Sequence, residues 1–229
     1  TAQVFRHDPN DSLSLSDDRI TDLAFDSTGQ NLWLTTQKGG FNVIDIRTGH
    51  CRRYTHIEDG SKRIELISLY WVLTDAQKRV WIGGKQGLVE HNLIDHTSKL
   101  HTYPIEAADN DASLLQRIHT MTSGVEDRYN DSLLWTGTGS GLLAYNKVSG
   151  NFRRYLYPGG AVDAIHSNSI KNLYQHNDGA LYCGTFNFGL FRFDPASGAF
   201  RPFPITGVTK YLDNWRNVFH IAFKSPQEL

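Results

Sequence analysis

The chain repeats itself four times, and this repetition limits its possible folds more than any other feature. Leu32-Trp33-Leu34-Thr35-Thr36, Val80-Trp81-Ile82-Gly83-Gly84, Leu134-Trp135-Thr136-Gly137-Thr138 and Leu181-Tyr182-Cys183-Gly184-Thr185 align, with aromatic anchors 48, 54 and 47 residues apart. Six or seven residues after each anchor comes a glycine and an apolar residue: Gly40-Phe41, Gly87-Leu88, Gly141-Leu142 and Gly189-Leu190. An aromatic closes each unit, at Tyr54, Tyr103, Tyr155 and Phe203. Repeats of roughly 20–50 residues belong to solenoids, propellers and arrays.

Every unit opens on an alternating apolar stretch: Ile20-Thr21-Asp22-Leu23-Ala24-Phe25, Leu66-Ile67-Ser68-Leu69-Tyr70-Trp71, Ile118-His119-Thr120-Met121 and Ile170-Lys171-Asn172-Leu173-Tyr174. Polar links such as Asp26-Ser27-Thr28-Gly29-Gln30 and Asn177-Asp178-Gly179 carry hairpin chemistry. A third strand follows the glycine, and Val148-Ser149-Gly150-Asn151 or its counterparts turn into a fourth, as at Phe152-Arg153-Arg154-Tyr155. No sustained 3.6-residue apolar period competes with this pattern. Each repeat therefore reads as a four-stranded antiparallel meander. A single meander cannot cover both of its faces, so neighbours must stack on it, and radial stacking of such sheets is the β-propeller. The expected fold is all-β, a partial or open propeller within one region, 1–229. Its four complete blades span about 18–56, 64–105, 116–157 and 168–205, with partial-blade strands at 1–8 and 215–229. Trp33, Trp81, Trp135 and Tyr182 are then core residues between blades.

Composition narrows the function. Among 229 residues, 23 Lys and Arg face 24 Asp and Glu for a net charge of −1, so the basic footprint of a nucleic-acid partner is absent. No apolar run approaches the ~20 residues of a membrane helix. The start, Thr1-Ala2-Gln3-Val4-Phe5, has neither signal-peptide features nor an initiator Met, which predicts a processed or excised piece of a longer polypeptide. Cys51 and Cys183 lie in predicted strands of different repeats and read as two separate buried thiols.

The order of strand, Asp/Gly turn, Leu-Trp-x-Gly-Thr, Gly-Leu, Ser-Gly turn and Phe-x-x-Tyr resembles the two-component regulator propeller repeat. Leu134 to Asn146 fits best, and His166-Ser167-Asn168-Ser169-Ile170 is similar to the linker before a first strand in that family. Thr35-Thr36, Gly83-Gly84 and Tyr182 depart from the pattern. The resemblance implies an extracytoplasmic sensor region, on the periplasmic side of a bacterial inner membrane, of a receptor whose output is a histidine kinase or diguanylate cyclase. Val4-Phe5-Arg6-His7 reads as the last strand of a preceding blade and Val218-Phe219-His220-Ile221-Ala222-Phe223 as the first of a following one. Open blade faces predict self-association or pairing with the rest of the receptor.

Catalytic and metal chemistry find no local signal. Gly137-Thr138-Gly139-Ser140-Gly141 joins strand to strand, whereas phosphate loops and nucleophile turns need a strand-to-helix junction. The ten His are scattered, and the acidic turns lack a calcium-loop pattern. No enzyme activity, metal or cofactor is expected. Function is sought in loops, where one face should collect the links between second and third strands and between blades. The ligand-binding candidates there are Lys38, Lys85, Gln86, Phe186, Asn187, Phe188, Tyr211, Trp215 and Arg216, with Thr138, Ser140, Lys62, Arg63, Arg117 and Asn168 nearby. Aromatic rings beside amides and cations suit a carbohydrate or a small anionic solute. Trp215 has a second reading, as core of the terminal partial blade. Two alternatives to a sensor stay open: a propeller lyase or hydrolase with a metal and a His at the disc centre, and a protein-interaction scaffold.

Overall fold

The computed structural model describes residues 4–104, 111–158, 168–186, 188–204, 218, 220 and 221. The chain divides into two compact units, Thr1–Tyr103 and Pro104–Leu229.

The first unit contains two blades. Strands β1 (Ile20–Phe25), β2 (Asn31–Thr36), β3 (Phe41–Asp45) and β4 (Cys51–Tyr54) form one antiparallel meander. A short hairpin follows, β5 (His56–Asp59) with β6 (Lys62–Glu65). The second meander is β7 (Leu69–Thr74), β8 (Arg79–Gly84), β9 (Gly87–Asn92) and β10 (Ser98–His101). Inner strands β1 and β7 are adjacent: the Val72 amide donates to Asp22 Oδ2 at 2.9 Å, and Thr74 Oγ1 donates to the Phe25 carbonyl at 2.8 Å. Between the blades lies a core of Trp33, Phe41, Leu69, Val72, Ile82 and Val89, joined by Ile57 of the hairpin and by Leu66. On its other face β1 exposes Leu23 and Phe25.

The second unit begins with helix α1 (Ala112–His119), capped by the Asp111 side chain, which accepts from the Ser113 amide at 2.8 Å. Strands β11 (Met121–Glu126), β12 (Leu133–Thr138), β13 (Gly141–Asn146) and β14 (Phe152–Tyr155) form its first blade. Strands β15 (Ile170–Gln175), β16 (Leu181–Thr185), β17 (Leu190–Asp194) and β18 (Ala199–Phe203) form the second. Thr122 Oγ1 donates to the Ile170 carbonyl at 2.5 Å across the inner strands, and Trp135, Leu142, Ile170, Leu173 and Phe193 fill the space between these sheets.

The inner strand of every blade slips register at the same place, between Ile20 and Asp22, Leu69 and Trp71, Met121 and Ser123, and Ile170 and Asn172. A bulge of this kind bends the strand and increases its twist. The glycine before each third strand takes positive φ, from +75° at Gly40 to +130° at Gly87, and a Cβ on Gly40 would lie 2.0 Å from the Tyr54 carbonyl oxygen. Both cysteines are free and buried.

Four sequence readings are corrected. Ile118 and His119 belong to α1, not to an inner strand, because the Asp111 cap and the bonds it starts hold the segment in helix until Thr120. Lys62 and Arg63 are on a strand, not in an open link, since Asp59-Gly60 closes a hairpin with Gly60 at φ +61°. The second inner strand starts at Leu69 instead of Leu66, because Ser68 has a φ of +53° that no strand continues through. Residues 4–6 form no strand; His7 only makes a parallel bridge to Leu15. Of the proposed following strand, Phe219, Ala222 and Phe223 lie outside the described residues. Val218 donates its amide to the Thr185 carbonyl at 3.1 Å and sits over Gly184 as Ile170 sits over Gly137.

Candidate functional site

The links between second and third strands are held from beneath by the residues that lead into the neighbouring inner strand. In the first unit Ser68 donates its amide to the Gln37 carbonyl at 2.8 Å and accepts the Lys85 amide at 3.0 Å, so one residue ties the links of both blades. In the second unit the Asn168 carbonyl accepts the Gly141 amide at 2.6 Å, and that of Ser169 accepts the Phe186 amide at 2.9 Å. The positive φ of Ser68, just ahead of β7, goes with an amide and a carbonyl that serve opposite neighbours.

On this base the predicted residues fall into two groups. Lys38 and Lys85 are exposed, and the Lys38 amide donates to Asp17 Oδ2 at 2.9 Å. Gln86 is half-buried and structural in part, donating to the Glu65 carbonyl at 2.7 Å. Phe186 is exposed at 39%, with Lys171 Nζ 5.6 Å from its ring centroid, and burial pushes the Lys171 ammonium below its ordinary range. Phe188 packs against the core of its unit. Asn168 is buried, and its Oδ1 accepts the Tyr157 amide at 2.7 Å. Ser140 is buried too, held by Arg154 through its carbonyl and its hydroxyl, both at 2.8 Å. Thr138 Oγ1 is spent on the Gly141 carbonyl. Arg63 pairs with Glu65 on β6 at 2.8 Å. Asn187, Tyr211, Trp215 and Arg216 lie outside the described residues.

The concave features are elsewhere, and sequence reasoning missed them. In each unit an outer cleft runs between the first blade's sheet and the end of the second blade's third strand. The cleft is about 520 Å3 in the first unit and about 510 Å3 in the second, within the usual range for small-molecule sites. The two clefts are built from equivalent repeat positions: Trp33 and Trp135, Asp45 and Asn146, His50 and Asn151, Arg52 and Arg153, Tyr54 and Tyr155. Alignment of the third and fourth strands would have shown these pairs; which blade closes the cleft is decided by packing alone.

Their polar contents differ. The Trp135 indole donates to Asp127 Oδ2 at 2.6 Å, whereas the Trp33 indole nitrogen is buried with no partner. Asp26, at the position of Asp127, is turned toward Thr28, Gln30 and Asn31 instead. The first cleft contains His91, whose Nδ1 is 2.9 Å from Ser98 Oγ and whose Nε2 is buried without a partner. Burial, with help from His96 and Arg52 and against the pull of Asp95, lowers its pKa to about 4, so the ring is neutral. Among the described residues no group of three or more His, Cys, Asp and Glu side chains is placed to hold a metal ion. No described helix is long and apolar enough to cross a membrane.

No family model and no curated protein matches the chain. Solved structures do. One is described as the extracellular domain of a hybrid two-component system from B. thetaiotaomicron. It superposes with a TM-score of 0.67 at 23% identity, over 84% of this chain and 25% of that one. A second domain of the same description and organism gives 0.62 at 18% identity, over 80% and 22%. The β-propeller domain of Cps50 (Swd1) from Myceliophteria thermophila gives 0.56 at 14% identity, over 81% and 55%. The fold is thus of the β-propeller kind, and the chain spans about a quarter of the two-component domains it matches.

Proposed function

We propose that the chain is a non-catalytic, ligand-sensing part of the extracytoplasmic propeller region of a bacterial transmembrane receptor of two-component type, with a carbohydrate or other small periplasmic solute as its ligand. The observation that carries this reading is Phe186: an exposed aromatic on an anchored link, with a partly desolvated ammonium over its ring. Neither group gains core packing there, and together they offer a stacking surface and a donor. Lys38 and Lys85 project from the corresponding links of the first unit. The fold shared with extracellular domains of hybrid two-component systems supports the reading, as does the repeat pattern itself. A ligand signals by favouring one of two arrangements of the receptor, which needs no chemistry from the domain.

The test is a thermal-shift and calorimetric screen against oligosaccharides and small anionic solutes, with Phe186→Ala as the control. Stabilisation by at least one solute, lost in the variant while its circular dichroism is unchanged, is expected. A screen in which no solute stabilises the chain, or in which the variant responds as fully as the parent, opposes it.

A further inference from the structure

The outer clefts of the two units are built from the same repeat positions, so each serves as a control for the other. We propose that the cleft of the first unit binds a small carboxylate carried on a flat apolar body, the class of aromatic ring acids, and that the cleft of the second unit does not. The site is separate from the link residues around Phe186 and does not rest on the sensing reading.

The argument begins at one register position. His91 lies opposite Val80 as Phe193 lies opposite Leu181. Phe193 meets Trp135 at 5.6 Å and Tyr155 at 5.0 Å between centroids, and His91 meets Trp33 at 5.7 Å and Tyr54 at 4.9 Å. An imidazole thus fills a benzene slot. The slot supplies Ser98 for one ring nitrogen and nothing for the other. Beside it Trp33 has an N–H with no acceptor, because the acid that serves the equivalent Trp135 is turned away. Two unpartnered nitrogens on neighbouring buried rings are a cost of folding with no return inside the protein.

The chemistry at this point consists of donors. The tautomer assigned to the neutral His91 ring has its proton on Nε2, with Ser98 Oγ donating to Nδ1; in that tautomer both orphan nitrogens are N–H donors, on rings 5.7 Å apart. Arg52 adds a guanidinium whose contact with the Tyr54 hydroxyl is long, 3.5 Å. The acidic side chain of the lining, Asp45, has Oδ1 occupied by the amides of Arg47 and Thr48. Two donors and a guanidinium match the two oxygens of a carboxylate. Val43 and Leu93 line the same cleft and suit a flat apolar body. Both orphan nitrogens are shielded from solvent, and half-buried Tyr54, 6.2 Å from the Trp33 ring and 4.9 Å from the His91 ring, is the side chain proposed to move aside on entry.

The test uses the full chain with 15N-labelled indoles, benzoate as probe and the isosteric neutral benzamide as control. Trp33→Phe identifies the Trp33 signal. Benzoate is expected to shift that signal and leave the Trp135 signal in place, with benzamide at least roughly tenfold weaker. Arg52→Met, a surface change, is expected to weaken benzoate roughly tenfold. His91→Phe, which installs the ring found in the second cleft, is expected to abolish the shift without loss of thermal stability. The proposal is overturned if benzoate leaves the Trp33 signal unmoved at tens of millimolar, if benzamide shifts it equally, or if Arg52→Met binds as the parent does. Should His91→Phe fail to fold, the Arg52→Met and benzamide results decide alone.

Discussion

The indole Nε1–H of Trp81 donates to Oδ2 of Asp75 at 2.8 Å, both side chains buried, and Trp135 makes the same bond to Asp127 at 2.6 Å. The acid opens the turn before the aromatic strand, so one carboxylate closes the turn and fixes the ring of that strand, which for Trp135 packs against Phe193 of the neighbouring blade. Asp75 also accepts from the amides of Gln77 and Arg79 and from the Arg79 guanidinium. Asp127 accepts from the Tyr129 and Asn130 amides and from Gln175 Nε2.

Truncating these acids removes several bonds at once and leaves buried donors unpaired. Asp75→Ala and Asp127→Ala are each expected to cost about 3 kcal/mol or more. Asp26→Ala, whose carboxylate serves only its own turn, is expected to cost about 1 kcal/mol. Urea unfolding of the three variants checks the ranking. Equal losses at all three positions would contradict it.

Much of this was legible in the sequence, for identifiable reasons. Trp33 and Trp135 stand where each unit needs a ring between its two blades, and the Gly-Leu markers stand where the chain needs a positive φ, two demands that few residue types meet. The partial replacements were legible only as departures: Tyr182 replaces a Trp, and His176 stands where the other blades have Asp26, Asp75 and Asp127, with the two rings 6.1 Å apart and edge to face. Helix α1 was missed because its apolar face, Leu114, Leu115 and Ile118, spans barely one helical repeat, and the residues from Ile118 to Met121 alternate like the start of a strand. The β5–β6 hairpin was missed because its strands are short and charged, although Asp59-Gly60 is a turn signal. The clefts were invisible because Trp33 and His91, 58 positions apart in sequence, meet only through blade packing.

The neutral His91 makes stability depend on pH. Its folded pKa, about 4, lies below the ordinary 6.5, so between these values the unfolded chain binds more protons than the folded one. Stability from this group is therefore full above pH 6.5, falls as pH drops toward about 4, and changes no further below that. The loss is about 3 kcal/mol across the window. His91→Phe is expected to flatten this part of the profile, which denaturant titrations at pH 7 and near pH 4.5 read directly. A variant profile parallel to the parent's would show that other groups are responsible.

The two thiols are expected to be inert in the native chain. Burial pushes both Cys51 and Cys183 above the ordinary thiol range, Cys183 more strongly, and the thiolate is the reactive form. Alkylation with iodoacetamide at pH 8, followed by mass spectrometry, should leave both unmodified until denaturant is added. Labelling of Cys183 without unfolding would indicate that its blade opens locally.

Gly83 carries the last prediction. A Cβ at this position would lie 1.9 Å from Trp71 Nε1 and 2.1 Å from Cε2, so the flat of the indole occupies the space a side chain would need. The repeat pattern Leu-Trp-x-Gly is thus explained here by contact across the bulge: Trp71 pairs with Gly83 in register, as Ser123 does with Gly137. Where Thr35 replaces this glycine, the residue across from it is the smaller Asp22. Gly83→Ala is therefore expected to cost about 1–3 kcal/mol by overpacking. The loss should shrink when Trp71 is already replaced by Leu, because the clash is then gone. A double-mutant cycle on unfolding free energies measures that coupling. Additive losses at the two positions would show that Gly83 is required by its backbone rather than by the indole above it.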